Sequence, residues 1–108
     1  MTRIARFHGL EIPNDKISEF CRRWKIVDLS LFGSVLRDDF RPDSDVDVLV
    51  TFAPETTWRS GDLLKMKQEL SVIFERPIDL VNKRLIETSK NYLRRKHILE
   101  HAETIYVA

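Results

Sequence analysis

A chain of 108 residues with 43% apolar content and a mean hydropathy of −0.29 has the size and balance of one soluble globular domain, so residues 1–108 are read as a single unit with one core. Eighteen basic and 17 acidic residues leave a net charge of +1, which points to neither nucleic acid nor a membrane surface as partner. Cys21, the only cysteine, excludes a disulfide framework and a thiolate zinc site. With no signal-like start and no apolar stretch of spanning length, the expected compartment is the cytoplasm.

Taken in chain order, the pattern predicts a helix from Asn14, as its cap, to about Trp24. Ile17, Phe20, Cys21 and Trp24 recur at helical spacing, which makes them core and Cys21 a buried small apolar residue. "IVDLSLFG" alternates as a strand ending at Gly33, and "SVLRDD" reads as a short helical turn before the Pro42 loop. "DVDVLVTF" is the strongest strand signal in the chain. After a loop over Pro54 to Arg59, "GDLLKMKQELSVIF" reads as an amphipathic helix with Leu63, Leu64, Met66, Lys67, Leu70 and Ile73 near one face. "PIDLVN" is a third strand, with Pro77 at its start. "SKNYLRRKHILEHA" is a last helix with Ser89 as cap, and "TIYVA" can add an edge strand. The order predicts an α/β (α+β) two-layer fold, a small mixed sheet with helices packed mainly on one face.

Charge is unevenly placed. Asp38, Asp39, Asp43, Asp45 and Asp47 crowd one segment, while Lys83, Arg84, Lys90, Arg94, Arg95, Lys96 and His97 crowd the C-terminal third. An acidic knot beside a basic flank suits a metal-bound polyphosphate; a solvated helix face explains the basic half equally cheaply.

Asp45 and Asp47 stand where an apolar strand wants Val or Ile. Residues two apart in a strand share a face, so both carboxylates project together, opposite Val46, Val48 and Val50. Two carboxylates at that separation repel unless a cation sits between them. Asp79 interrupts another apolar strand, and if the strands are neighbours the three can meet. An all-oxygen set suits a hard divalent cation such as magnesium, which keeps water and substrate phosphates in its remaining positions. Upstream, Gly33 lets a phosphate approach the backbone, while the Ser34 hydroxyl and nearby N–H groups can hold its oxygens. Arg37 reads either as a further phosphate donor or as a salt-bridge partner of Asp38, Asp39 or Asp43.

Gly33-Ser34, ten intervening residues, then Asp45-x-Asp47 is the GS-x10-DxD signature, and with it the chain resembles the polymerase β-like nucleotidyltransferases. "GSVLRDDFRPDSDVDVLV" and "PIDLV" together resemble the minimal nucleotidyltransferase branch, short proteins often encoded beside a HEPN-domain toxin. The resemblance covers Leu29 to Val81 and extends loosely to "RRKHILEHAETIY". One departure from the common pattern is Leu36-Arg37-Asp38, where members have Ala-Arg-Gly. The resemblance implies that Gly33 and Ser34 hold the β/γ-phosphates of ATP. It gives Asp45 and Asp47 two magnesium ions, with Asp79 completing the metal and catalytic set and helping to activate an acceptor hydroxyl.

The function so implied is a magnesium-dependent nucleotidyltransferase, the antitoxin of a HEPN/MNT pair, moving AMP from ATP to a tyrosine of its toxin. Two rivals stand beside it. One is a small-molecule nucleotidyltransferase subunit acting on an antibiotic-like or sugar hydroxyl, completed by self-association. The other is an antitoxin that neutralises by contact alone. Homo- and hetero-oligomers are both compatible with the sequence. Trp24 is read as core and Trp58 as a loop anchor. Ser44 is read as a loop-shaping residue, and His8, His97 and His101 as surface or capping residues.

Overall fold

The periodicities of 2 and 3.6 fold into one mixed sheet with helices laid on it. The computed structural model describes the backbone of residues 4–7, and residues 10–33 and 44–108 in full. Strands β1 (Ile4–Phe7) and β2 (Leu10–Pro13) form a hairpin, followed by α1 (Asn14–Arg23), β3 (Ile26–Phe32) and β4 (Val46–Phe52). Then come α2 (Ser60–Phe74), β5 (Ile78–Asn82), α3 (Lys83–Glu87), α4 (Tyr92–His101) and β6 (Glu103–Val107). The four-stranded sheet runs β5-β4-β3-β6. β3 is antiparallel to both β4 and β6, whereas β4 and β5 are parallel, so the sheet is mixed as the sequence predicts.

Register sorts the side chains. Leu29 and Leu31 of β3, Val46, Val48 and Val50 of β4 and Ile78 of β5 point to one face. There they meet Ile17, Phe20 and Cys21 of α1, Met66, Leu70 and Phe74 of α2, and Leu10 and Ile12 of β2. The opposite face carries a smaller cluster of Phe32, Leu49, Ile86 of α3 and Ile98 of α4. The helices therefore pack mainly on one face, with α3 and α4 closing part of the other.

Several local details differ from the sequence reading, each for a physical reason. Asn14 is the first helical residue, with Pro13 at the cap position and no side-chain cap bond. The last helix is capped by Asn91, whose Oδ1 accepts from the Arg94 N–H at 3.1 Å; Ser89 instead accepts from the Asn91 N–H at 3.2 Å. The β1–β2 hairpin and the five-residue α3 are too short to show a period. In α2, Leu63 and Leu64 are exposed rather than core, because the buried stripe runs Met66, Leu70 and Phe74.

One polar tie locks α1 to α2. Trp24 Nε1 donates to Glu69 Oε2 at 2.6 Å and Arg23 Nη1 donates to Glu69 Oε1 at 3.0 Å. Partial burial opposes ionisation of Glu69. The Trp24 and Arg23 hydrogen bonds and the Arg23 and Lys65 charges outweigh it, holding the carboxyl below its ordinary value of 4.5. A depressed folded-state pKa stabilises the protein above the unfolded value and loses that contribution as pH falls through the folded one. Glu69→Gln is accordingly expected to cost no more than about 1 kcal/mol at neutral pH, since the pair is half in solvent. Urea titrations should show the wild-type advantage shrinking as pH drops below about 4.5.

Cys21, fully buried in α1, has its thiol pushed up to about 12, first by burial and then by the charge of Asp28. The reactive thiolate is therefore scarce at neutral pH. A chromogenic disulfide reagent is expected to label the native protein only as fast as it opens, and the unfolded protein at once.

Candidate functional site

The site grows from the parallel β4–β5 pair. A backbone bond from the Val46 N–H to the Pro77 carbonyl, 2.9 Å, starts the ladder, and the register then sets Asp47 directly beside Asp79. Neighbouring strands lie about 4.8 Å apart, so two side chains on one face at one register position are near neighbours. Asp47 is half-buried and Asp79 exposed. On its other side Asp47 is paired with Phe32 of β3, and Gly33 follows. Asp45 lies immediately before β4 rather than within it, exposed to solvent.

Gly33 has φ +75°, a left-handed backbone that L side chains avoid. A Cβ placed on Gly33 would overlap Asp47 Oδ2 and stand 3.0 Å from its Cγ. The Asp47 carboxylate thus lies where a Gly33 side chain would go. Beneath Asp47, on the same face, Phe32 and Leu49 form an apolar floor with Ile86 and Ile98.

Of the residues singled out from the sequence, the structure thus brings Gly33, Asp47 and Asp79 together, with Asp45 one residue ahead of the strand. Ser34 and Arg37, like Leu36, Asp38, Asp39 and His8, lie outside the described residues. Among the described residues no three carboxylate, imidazole or thiol groups are close enough to form a group that holds a metal ion. What the strands offer is an open set of carboxylate oxygens, a donor chemistry that fits magnesium completed by water and phosphate oxygens.

The other candidates resolve simply. Trp58 packs its ring on Trp24 at 5.2 Å and on Phe52 at 6.4 Å, so it anchors its loop to the core. His97 and His101 are exposed on α4, with ring centroids 4.5 Å apart, and His101 Nδ1 contacts the His97 carbonyl at 2.8 Å. Among the described residues no helix is long and apolar enough to cross a membrane.

With this geometry in place, comparison with known proteins is direct. Residues 15–105 match the nucleotidyltransferase domain family, and the chain belongs to that family. A solved toxin–antitoxin complex with AMP-PNP shares the fold with a TM-score of 0.67 at 20% identity, over 90% of this chain and 75% of that one. A structure assigned as a minimal nucleotidyltransferase aligns with a TM-score of 0.62 at 29% identity, covering 82% and 85% of the two chains. A tri-AMPylated HEPN toxin of Shewanella oneidensis in complex with an MNT antitoxin aligns with a TM-score of 0.59 at 21% identity, over 88% and 70%. No curated protein matches the chain. The resemblance drawn from GS-x10-DxD thus holds at the level of family and fold.

Proposed function

We propose that this chain transfers AMP from ATP, with magnesium, to a tyrosine hydroxyl of a HEPN-domain toxin and so acts as its antitoxin. One observation supports this above the rest: Asp47 and Asp79 stand in register on neighbouring parallel strands, beside a glycine with no room for a side chain. The solved complexes of a HEPN toxin with an MNT antitoxin support the choice of acceptor.

In this reading Gly33, Ser34 and Arg37 hold the triphosphate, and Asp45, Asp47 and Asp79 hold magnesium. When bound, the metal supplies charge neutralisation on the phosphate oxygens. Asp79, the most outward of the in-register pair, takes the proton of the acceptor hydroxyl. The tyrosine oxygen then forms a bond to the α-phosphorus, the bond to the bridging oxygen of the β-phosphate breaks, and pyrophosphate leaves in line.

The test mixes the chain with magnesium, ATP labelled at the α-phosphate and a HEPN-domain protein offered as acceptor. Label on the HEPN protein, lost in both Asp45→Ala and Asp79→Ala, is the expected result. An unlabelled HEPN protein that is still bound and inhibited would overturn transfer and leave an antitoxin working by contact.

A further inference from the structure

Two imidazoles stand together outside the carboxylate set. His97 and His101 are four residues apart on α4, so both side chains leave the same side of the helix. Both are exposed, and their ring centroids lie 4.5 Å apart at an interplanar angle of 33°. His101 Nδ1 stands 2.8 Å from the His97 carbonyl oxygen. A carbonyl can only accept, so Nδ1 carries the proton and donates it, which leaves the lone pair of the neutral ring on Nε2. Among the described residues the core holds α4 through Ile98, with Leu99 and Ala102 beside it, and both rings stay outside.

We infer that His97 and His101 chelate a borderline divalent cation, with zinc as the representative ion, at the last turn of α4. The geometry comes first. Imidazole nitrogens bind zinc at about 2.0–2.1 Å, so two of them on one ion stand about 3 Å apart. Rings centred 4.5 Å apart on one side of a helix reach that separation by side-chain rotation alone. The hydrogen bond comes second. A metal-bound histidine ordinarily donates its other ring N–H to an oxygen, and the Nδ1 bond of His101 is such a support, orienting the ring and keeping Nε2 for the ion. The helix end comes third: α4 closes at His101, where the free carbonyls carry partial negative charge that favours a cation.

The same surroundings choose the ion. Arg94, Arg95 and Lys96 precede His97 in the chain and oppose any cation held by charge alone, and nitrogen donors suit magnesium and calcium poorly. Zinc, nickel and copper coordinate imidazole strongly enough to bind there. Among the described residues no third carboxylate, imidazole or thiol is close enough to complete a group of three, so water fills the remaining positions. Two protein ligands give about half the binding free energy of a closed four-ligand site, which corresponds to a Kd of about 10 μM. The site stands whether or not the chain transfers AMP.

The test titrates zinc into tag-free, chelator-stripped protein, read by calorimetry and by competition with a chromophoric chelator. The expected result is one ion per chain with a Kd of about 10 μM, weakened about tenfold or more by His97→Asn and by His101→Asn. Both changes fall on exposed side chains, and circular dichroism checks that the variants fold. Copper should bind more tightly than nickel or zinc. His8→Asn and Asp79→Asn, which alter the remaining imidazole and the carboxylate set, should leave zinc binding as in wild type, and so should excess magnesium. In nitrogen-edited NMR spectra the ring signals of His97 and His101 should move together as zinc is added. A Kd weaker than about 1 mM, or binding that survives both histidine substitutions, would overturn the site. Binding lost in Asp79→Asn but kept in the histidine variants would put the ion on the carboxylates and overturn it as well. Half an ion per chain, with a zinc-driven dimer in sedimentation, would put the ion between copies and overturn chelation by one helix.

Discussion

Asp79→Asn is expected to lower AMP transfer by about a thousandfold or more, in kcat rather than in KM for ATP, while leaving the melting temperature unchanged or raised. The size follows from the role proposed for it: a carboxylate that removes a proton and helps hold a cation acts in the transition state, and losing such a group costs about two to four orders of magnitude. The direction of the stability effect follows from register. Asp47 and Asp79 occupy one face at one position of neighbouring strands, where two negative charges repel. Asn keeps the shape and removes one charge, and Asp79 is exposed, so no buried partner is orphaned. Steady-state transfer assays beside thermal melts check both halves. A large drop in melting temperature would recast Asp79 as a structural residue, and unaltered kcat would remove it from the chemistry.

That opposition between function and stability also explains what the sequence disclosed. Asp47 and Asp79 stand out as candidates because each breaks an otherwise apolar strand, whereas Asp45, which the sequence places in the same strand, falls just before β4. Gly33 was legible through its spacing to the aspartates. The strands β3, β4 and β5 were legible because branched residues alternate over five to seven positions. The hairpin at the N-terminus was not, since four-residue strands carry too little pattern, and their pairing is decided by the core they cap. Nor was α3, whose five residues form on the Asn82 side chain, which accepts from the Arg84 N–H. The exposed side of α2 was hidden for a different reason. Leu63 and Leu64 look like core at helical spacing, and only the packing of α2, which buries Met66, Leu70 and Phe74, leaves them outside. Periodicity shows that a face is apolar, but only tertiary packing shows what covers it.

Gly33→Ala is expected to remove about 1–2 kcal/mol of stability and to lower transfer by about a hundredfold or more, out of proportion to the fold loss. Two costs combine. The backbone at φ +75° disfavours any L side chain, and the new methyl would overlap the Asp47 carboxylate. The protein can relieve the second cost only by moving Asp47, and a displacement of about 1 Å at a reacting centre is worth about a hundredfold in rate. Gly61→Ala is the contrast, because nothing lies within 4 Å of its added Cβ and it sits within α2. There the change should stabilise by up to about 1 kcal/mol through helix propensity. The decisive measurement is a double-mutant cycle by urea unfolding with Gly33→Ala and Asp47→Ala. Shortening Asp47 removes the atoms the methyl would meet, so the glycine substitution should cost less in that background, with a coupling above about 0.5 kcal/mol. Strictly additive costs would put all the strain in the backbone angle. The aspartate would then stand clear of Gly33, and the glycine's place in the motif would have to be explained by the phosphate it admits rather than by the carboxylate it makes room for.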